Sequence, residues 1–336
     1  MGKEEMKVVT FQHSHLEAAA MLLSAHHVEE RTKTPSLQKL FEEPVHAGRV
    51  IDTWLEKENV SGIAAFRGAE LIGYMMGRLE TDKQRERYTW VDYAGTAIAA
   101  EESAELYREM YAVIAAEWVK AGSFKHYVLV PGGDTKAMDG WLRLGFGYEQ
   151  VHGVQAIPSD ISLPLLDSEI CIRLATEEDE REVRKIATLI MEHQAESPVW
   201  APAFIEDRGM LQEGFVELMK DPTAYFWVAS QGQDILGFQA FYPAQNSDSN
   251  MMIPDSCICL GVGATVPYAR GKGVATHLIK HGFDHARKAG YLNCMTDWRM
   301  TNLESSRFWP KQNFLPYAYR LVRHIDPRIA WATGKA

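Results

Sequence analysis

The sequence has no long apolar run, few cysteines and no excess of positive charge. None of its apolar stretches approaches the ~20 residues that a helix needs to cross a bilayer. Its first residues, Met1 to Glu5, lack the apolar segment of a secretory signal. We therefore expect a cytoplasmic protein with no membrane partner.

The scarcity of cysteine argues against a structural metal or a disulfide framework. The only close pair among the four cysteines has CxC rather than CxxC spacing: Cys171, Cys257, Cys259 and Cys294. Three histidines, His277, His281 and His285, recur at intervals of four, but successive turns of one helix cannot by themselves close a tetrahedral site. We predict no metal site and interpret the histidines as a polar helix face.

The net charge of the chain limits the classes of partner that it can bind. The 35 Lys and Arg residues are outnumbered by 45 Asp and Glu residues, which gives a net charge of −10. This balance opposes general binding to nucleic acid, although a local basic patch for one small anion remains possible. We expect no nucleic-acid partner.

The chain repeats itself. Its 336 residues predict two domains. At an offset of 168, Lys120-Ala121-Gly122 recurs as Lys288-Ala289-Gly290, Trp141 recurs as Trp309, and Phe146 recurs as Phe314. A repeat on this scale indicates two copies of one structural unit.

Periodicity predicts the same order of elements in both copies, an α/β fold with a mixed sheet. Alternating and 3.6-residue apolar patterns separate strands from helices. The second copy is predicted to have strands at 170–174, 225–229, 235–242, 257–266, 291–296 and 314–323, and helices at 177–193, 273–289 and 302–309. The first copy is predicted to have strands at 7–11, 62–79 (a hairpin), 89–98, 127–130 and 148–157, and helices at 15–30, 103–121 and 134–142. The boundary is predicted near 160–168.

The segment Pro267 to Ala275 carries the chemistry. It lies between a predicted strand and a predicted helix, and its glycines can bring bare backbone N–H groups around a phosphate oxygen. Arg270 and Lys272 add positive charge. The plain alternative is that Gly271 and Gly273 only form a tight turn. Neither the Rossmann fingerprint nor the P-loop spacing fits.

With Arg270, Gly273 and Ala275 in the spacing Arg-x-x-Gly-x-Ala, this segment resembles the pyrophosphate loop of the GNAT (GCN5-related N-acetyltransferase) superfamily. The resemblance extends over the second copy and implies two tandem GNAT folds, with acetyl-CoA as the coenzyme. It implies that the pyrophosphate lies on residues 270–275, that strand residues 264–266 bind the pantetheine arm, and that Asn302 meets the pantetheine or acceptor end. The implied coenzyme-binding residues are Ala264, Thr265, Val266, Arg270, Gly271, Lys272, Gly273, Val274, Ala275 and Asn302.

The first copy departs from this signature. The 168-residue offset places Glu102 opposite Arg270, and Glu105 opposite Gly273. Carboxylates at a helix start stabilise the helix but repel a pyrophosphate. We therefore interpret residues 1–160 as a degenerate GNAT-like domain, and residues 169–336 as the domain with the coenzyme loop. The first copy is then structural, or binds a coenzyme without catalysis.

The sequence indicates the catalytic residues less clearly than the coenzyme loop. The superfamily often places a tyrosine acid where this chain has Trp309, which cannot donate such a proton, so Tyr317, Tyr319 or solvent remain as proton sources. Asp297 and Asp255 are candidate bases, and Asp297 is equally a candidate for a structural salt link. We select Asp297 and Tyr317 as the candidate catalytic pair.

The resemblance implies an N-acetyltransferase that moves an acetyl group from acetyl-CoA to a primary amine by direct attack. The acceptor is a small molecule or a peptide, and the sequence leaves its identity and the oligomeric state open. The alternative is a non-catalytic acyl-CoA sensor or interaction protein, which Trp309 and the degenerate first copy favour. Aminoacyl transfer from tRNA on a related doubled fold would need a basic tract, which is lacking.

Overall fold

The computed structural model describes residues 5–163, 165–202, 204–245 and 250–332. These residues form two compact units. Unit 1 comprises the described residues of Met1–Val151, Asn246–Ile253 and Pro316–Ala336, and unit 2 those of His152–Gln245 and Pro254–Leu315. Each unit contains residues from both parts of the chain, and the domain boundary near 160–168 stays a prediction.

The first part of the chain alternates strands and helices. Its elements are β1 (Met6–Thr10), α1 (Leu16–Lys33), α2 (Pro44–Leu55), β2 (Val60–Arg67), β3 (Glu70–Asp82), β4 (Glu86–Val91), β5 (Thr96–Ile98), α3 (Glu105–Lys120), β6 (Lys125–Pro131), α4 (Thr135–Arg143) and β7 (Gly147–Ala156). Strand β4 pairs with β6 in parallel, and β3 pairs with β2 and β4 in antiparallel orientation. This arrangement confirms the mixed α/β class.

The second part of the chain follows the same order. Its elements are β8 (Ile170–Leu174), α5 (Glu180–Ile186), α6 (Leu189–Ala195), α7 (Arg208–Lys220), β9 (Tyr225–Gln231), β10 (Asp234–Pro243), β11 (Cys257–Thr265), α8 (Val274–Lys288), β12 (Asn293–Arg299), α9 (Leu303–Lys311), β13 (Leu315–His324) and α10 (Ile329–Ala332). Strands β8 to β11 are antiparallel neighbours, and β11 pairs with β12 in parallel.

The C-terminal strands account for the composition of the units. Strand β13 pairs in antiparallel orientation with β6 of unit 1, from Ala318 opposite Pro131 to His324 opposite Lys125. The end of β7 lies beside β12 in unit 2, where the Ile157 N–H donates to the Leu292 carbonyl at 2.8 Å. Each copy therefore supplies strand residues to the unit that holds most of the other copy.

The structure confirms the 168-residue repeat. Gly122 and Gly290 lie two residues beyond the ends of α3 and α8, with φ of +83° and +93°. Both glycines adopt the left-handed conformation that commonly ends a helix. The amide one residue later donates to the carbonyl five residues before it in each case, at 3.0 Å: Ser123 to Trp118, and Tyr291 to Ala286.

Each unit has its own apolar core between the sheet and its helices. In unit 1, Tyr111 and Trp141 pack with buried strand residues such as Met75. In unit 2, Phe238 and Leu278 pack with α5. Burial at roughly 25 cal/mol per Å² is the main stabilising term for such layers. None of the helices in the described ranges is both long and apolar enough to span a membrane.

The structure differs from the sequence prediction at several elements. Helices α2 and α7 were not predicted. The predicted helix 177–193 is divided into α5 and α6, and the predicted strand 89–98 is interrupted at Tyr93–Gly95. The Asp92 carboxylate caps this turn through the Tyr93 N–H, and a Cβ on Gly95 would lie 2.8 Å from the Met76 carbonyl oxygen, so only glycine fits.

Candidate functional site

A glycine turn connects β11 to α8. After a 3-10 turn at Pro267–Ala269, Gly271 and Gly273 adopt φ of +75° and +85°. A side chain in this left-handed region costs about 1–2 kcal/mol. A Cβ on Gly271 would meet nothing within 4 Å, so this position faces open space. The glycines are therefore needed for the backbone conformation, and their surface is accessible.

The start of α8 presents unpaired amides beside this turn. Gly273 is the N-cap, and its carbonyl accepts the helix bond from the His277 N–H at 3.0 Å. The N–H groups of Val274, Ala275 and Thr276 therefore precede the first helix bond and have no intrahelical acceptor. Together with the positive end of the helix dipole, they favour an anion.

Arg270 is held by contacts on both sides. Its Nε donates to the Thr265 carbonyl at 3.2 Å, and its Nη1 pairs with Glu304 Oε1 at 3.0 Å. Lys272 is exposed on the same turn. Two cations thus lie on the loop, and one of them is already paired with a carboxylate of α9.

The two parallel strands in front of the loop separate. Strand β11 pairs with β12 only from Cys257–Cys259, whereas its pairing with β10 continues to Thr265. A slot therefore opens between β11 and β12. The Val266 N–H donates to Leu236 on the β10 side at 2.9 Å, and the Thr265 carbonyl accepts from Arg270. Along an antiparallel strand, the backbone N–H and C=O groups of successive residues point alternately to one neighbouring strand and to the other. The backbone groups of Ala264 therefore also point to β10, and those of Thr265 point to the slot.

Asn302 is the N-cap of α9. Its Oδ1 accepts from the N–H groups of Glu304 and Ser305, each at 3.1 Å, and lies 3.4 Å from His193 Nε2. Asp134 occupies the matching position in the first copy, where it caps α4 and contacts His26 Nε2 at 2.9 Å. The Asn302 oxygen is thus used by the fold, which leaves its side-chain amide to donate elsewhere.

Asp297 lies close to two residues that the sequence analysis did not select, Tyr242 and Cys259. In the antiparallel pairing of β10 with β11, Tyr242 is directly opposite Cys259. The phenol and the thiol are hydrogen-bonded, and the Asp297 charge acts on both. The register depends on an irregularity between Ala240 and Phe241, which sequence spacing does not reveal.

Burial sets the protonation of this cluster. Burial raises the pKa of the Cys259 thiol to about 11, and it raises the pKa of the Tyr242 phenol well above its usual value. Burial also raises the pKa of the Cys294 thiol. Both thiols and the phenol therefore keep their protons near neutral pH, which disfavours cysteine as a nucleophile.

The other catalytic candidates occupy different surroundings. Tyr317 is buried on β13 in unit 1, where its carbonyl accepts from the Gly132 N–H at 2.7 Å. Asp297 belongs to unit 2. Trp309 is only 9% exposed and packs against Phe314, as expected of a core residue.

The matching region of the first copy is occupied by ion pairs. Glu102 is buried and accepts from Arg67 Nη2 at 3.0 Å. Glu105 pairs with Arg108 and Arg143 at the start of α3. These carboxylates would repel a pyrophosphate. Across the described ranges, no group of three His, Cys, Asp or Glu side chains is arranged to hold a metal ion.

Comparison with known proteins shows a partial match to one family model and a likeness of fold to solved structures. Residues 186–314 match the model of the acetyltransferase (GNAT) family, whereas no curated protein matches the chain. A GCN5-related N-acetyltransferase from Sphaerobacter thermophilus is 12% identical over 96% of both chains, with a TM-score of 0.62. A tandem GNAT protein from the clavulanic acid biosynthesis pathway is 11% identical over 95% of this chain and 98% of its own, with a TM-score of 0.53.

At this identity the solved structures establish the fold, and the family model shows a likeness over part of the chain. The matched range extends from the end of α5 to Phe314 and includes the glycine turn, the separated strands and Asn302. Residues 186–314 therefore resemble the GNAT acetyltransferase family, and the chain has a tandem GNAT fold.

Proposed function

We propose that the protein is a cytoplasmic N-acetyltransferase that moves an acetyl group from acetyl-CoA to a primary amine of a small molecule or peptide. The glycine turn before α8 is the observation that carries this proposal. It combines open space at Gly271, the unpaired amides of Val274 to Thr276, and the cations Arg270 and Lys272. These groups suit a diphosphate.

The slot between β11 and β12 fits the remainder of the coenzyme. Thr265 presents backbone groups along one wall, as an amide-containing pantetheine arm requires. The Asn302 side-chain amide can add a donor, because its oxygen is engaged as the helix cap. When bound, acetyl-CoA would supply an activated acyl thioester.

The chain's own residues would position the amine and accept its proton. Asp297 is exposed at the end of β12 and can take that proton directly or through water. Binding both reactants in one site supplies much of the rate by orientation. The net charge of −10 favours a cationic acceptor.

The test is titration calorimetry of acetyl-CoA into three proteins: the wild type, Gly273→Glu and Gly232→Glu. Both glycines have positive φ, +85° and +59°, so both variants introduce backbone strain and one negative charge within unit 2. Only Gly273 lies at the turn. We expect one site per chain in the wild type and in Gly232→Glu, and loss of binding in Gly273→Glu.

Other outcomes have definite meanings. Failure of the wild type to bind acetyl-CoA would overturn the acetyltransferase proposal. Binding that survives in Gly273→Glu would locate the coenzyme elsewhere. Binding without acetylation of any amine in a broad panel would favour the second candidate, an acyl-CoA sensor, which Trp309 at the superfamily's acid position supports.

A further inference from the structure

Tyr242, Cys259 and Asp297 lie in a row across three strands of unit 2. Tyr242 is opposite Cys259, and Cys259 is opposite Met295. Asp297 follows Met295 by two residues and so shares its face. The preceding residue, Phe241, points to the other face and packs on Phe283 of α8 at 6.5 Å between ring centroids. The row therefore lies on the sheet face opposite α8.

Gly261 fixes the position of the Tyr242 ring. It is the extra residue where the register shifts, because Val262 and Leu260 oppose the consecutive residues Ala240 and Phe241. A Cβ built on Gly261 would lie 2.0 Å from the Tyr242 oxygen and 2.4 Å from two ring carbons. The phenol can lie over β11 only because this position has no side chain.

The phenol is thereby placed at the closed end of the slot. Cys259 is the last residue of β11 paired with β12, and the slot opens from there towards Thr265. Six strand residues at roughly 3.3 Å each span about 20 Å. This is comparable with an extended pantetheine arm. A coenzyme with its diphosphate on the glycine turn would direct its sulfur towards Tyr242.

We propose that the Tyr242 O–H donates a hydrogen bond to the coenzyme sulfur as the bond between carbon and sulfur breaks. This inference rests on the proposed function. The reaction forms a C–N bond and breaks a C–S bond, and the sulfur leaves with the electron pair. The amine gives up one proton through Asp297 or water, and the sulfur takes one from solvent. Tyr242 keeps its own proton throughout.

The state of the phenol agrees with this role. Burial raises the pKa of Tyr242, so the group is a poor proton source but a persistent donor. In the structure it is hydrogen-bonded to the Cys259 sulfur, and the proposed role requires the O–H to turn from this sulfur to that of the coenzyme. Donors fixed where negative charge develops are worth about 10²–10³ in turnover in other acyl-transfer sites.

The test titrates the thiol of bound coenzyme A, which needs no knowledge of the acceptor. Thiolate absorbance is followed against pH for saturated complexes, and the acetyl-CoA complex is subtracted to remove the protein's own groups. The proteins are the wild type, Tyr242→Phe, Gly261→Ala to displace the ring, and Tyr291→Phe as a control in unit 2. Circular dichroism checks the fold of each variant.

We expect the apparent pKa of the bound thiol to rise by about one unit in Tyr242→Phe, because a donor to the thiolate is lost. Gly261→Ala should shift it in the same direction, Tyr291→Phe should not, and acetyl-CoA affinity should change less than threefold. A wild-type thiol pKa equal to that in Tyr242→Phe would overturn the inference. Failure of the wild type to bind either coenzyme form would instead overturn the proposed function.

Discussion

Trp309 meets Phe314 edge-on, with ring centroids 5.3 Å apart and planes at 84°. Trp141 and Phe146 repeat this contact at 4.9 Å and 74° in the first copy. The same contact therefore links α4 and α9 to the residue that follows each helix, although only one copy has the coenzyme signature. This repetition identifies Trp309 as a packing residue.

Replacing Trp309 should affect stability more than coenzyme binding. We expect Trp309→Phe to lower the free energy of unfolding by about 1–3 kcal/mol, because the smaller ring leaves unfilled volume. Acetyl-CoA affinity by calorimetry should stay within twofold of the wild type. Trp141→Phe in unit 1 is the matched control. Loss of acetyl-CoA binding without a change in the urea midpoint would contradict the packing role.

Two substitutions at Asn302 separate the role of its oxygen as the helix cap from the role of its side-chain amide as a hydrogen-bond donor. Asn302→Asp keeps an oxygen for the N–H groups of Glu304 and Ser305, as Asp134 does in the first copy. We expect unchanged stability but weaker coenzyme binding, since the side-chain donor is lost. Asn302→Ala should weaken both, with a stability loss of about 0.5–2 kcal/mol. Equal acetyl-CoA affinity in Asn302→Asp and the wild type would show that the amide does not contact the coenzyme.

Glu304 should compete with a bound anion for Arg270. The Arg270 Nη1 to Glu304 Oε1 distance is 3.0 Å, and both side chains are partly exposed at 35% and 58%. We expect Glu304→Gln to tighten acetyl-CoA binding several-fold at low salt, and the gain to shrink as salt screens the charges. Glu217→Gln, which removes the same charge from the exposed face of α7, should have no effect. Weaker binding in Glu304→Gln would mean that the carboxylate orients Arg270 instead.

Acid should destabilise unit 1 through two buried histidines. Burial lowers the pKa of His27 and of His126 to about 4, from 6.5 in an exposed group. The hydrogen-bond partners of both rings are uncharged and suit a neutral imidazole. His27 contacts the Tyr93 phenol and the Gln38 carbonyl, and His126 contacts the Tyr111 phenol and the Ser123 carbonyl.

The unfolded chain binds these protons near pH 6.5, whereas the folded chain does so only near pH 4. Their stabilising contribution is therefore complete above about pH 6.5 and is lost as the pH falls towards 4. Between pH 7 and 5 we expect a loss of about 2 kcal/mol for each histidine. Urea unfolding measures it. His126→Gln should flatten the profile, and exposed His13→Gln should not.

Much of the fold could be predicted from the sequence. Apolar periodicity predicted the bounds of α8 and β8 to within one residue. The repeat of Trp141 and Phe146 as Trp309 and Phe314 predicted that the second copy has the same order of elements as the first. Helix α7 was not predicted, because its residues lack a sharp apolar stripe and only Val216 is fully buried.

The site could be predicted only in part. The glycine turn depends on a local backbone requirement, so the spacing of Arg270, Gly273 and Ala275 indicated it. The position of Tyr242 depends on a register shift between β10 and β11, which is a pairing property of two strands. Likewise, only the sheet shows that the Val266 amide is directed to Leu236. The catalytic roles of Asp297 and Tyr317 stay predictions.

The pairing of β13 with β6 has a consequence for synthesis. On the ribosome, residues up to Val151 emerge well before β13, so the edge of β6 that β13 will cover has no such partner during that interval. An uncovered strand edge invites pairing with other chains. Translation arrest before residue 315 should therefore produce a nascent chain that needs a chaperone, and release of β13 should end that need.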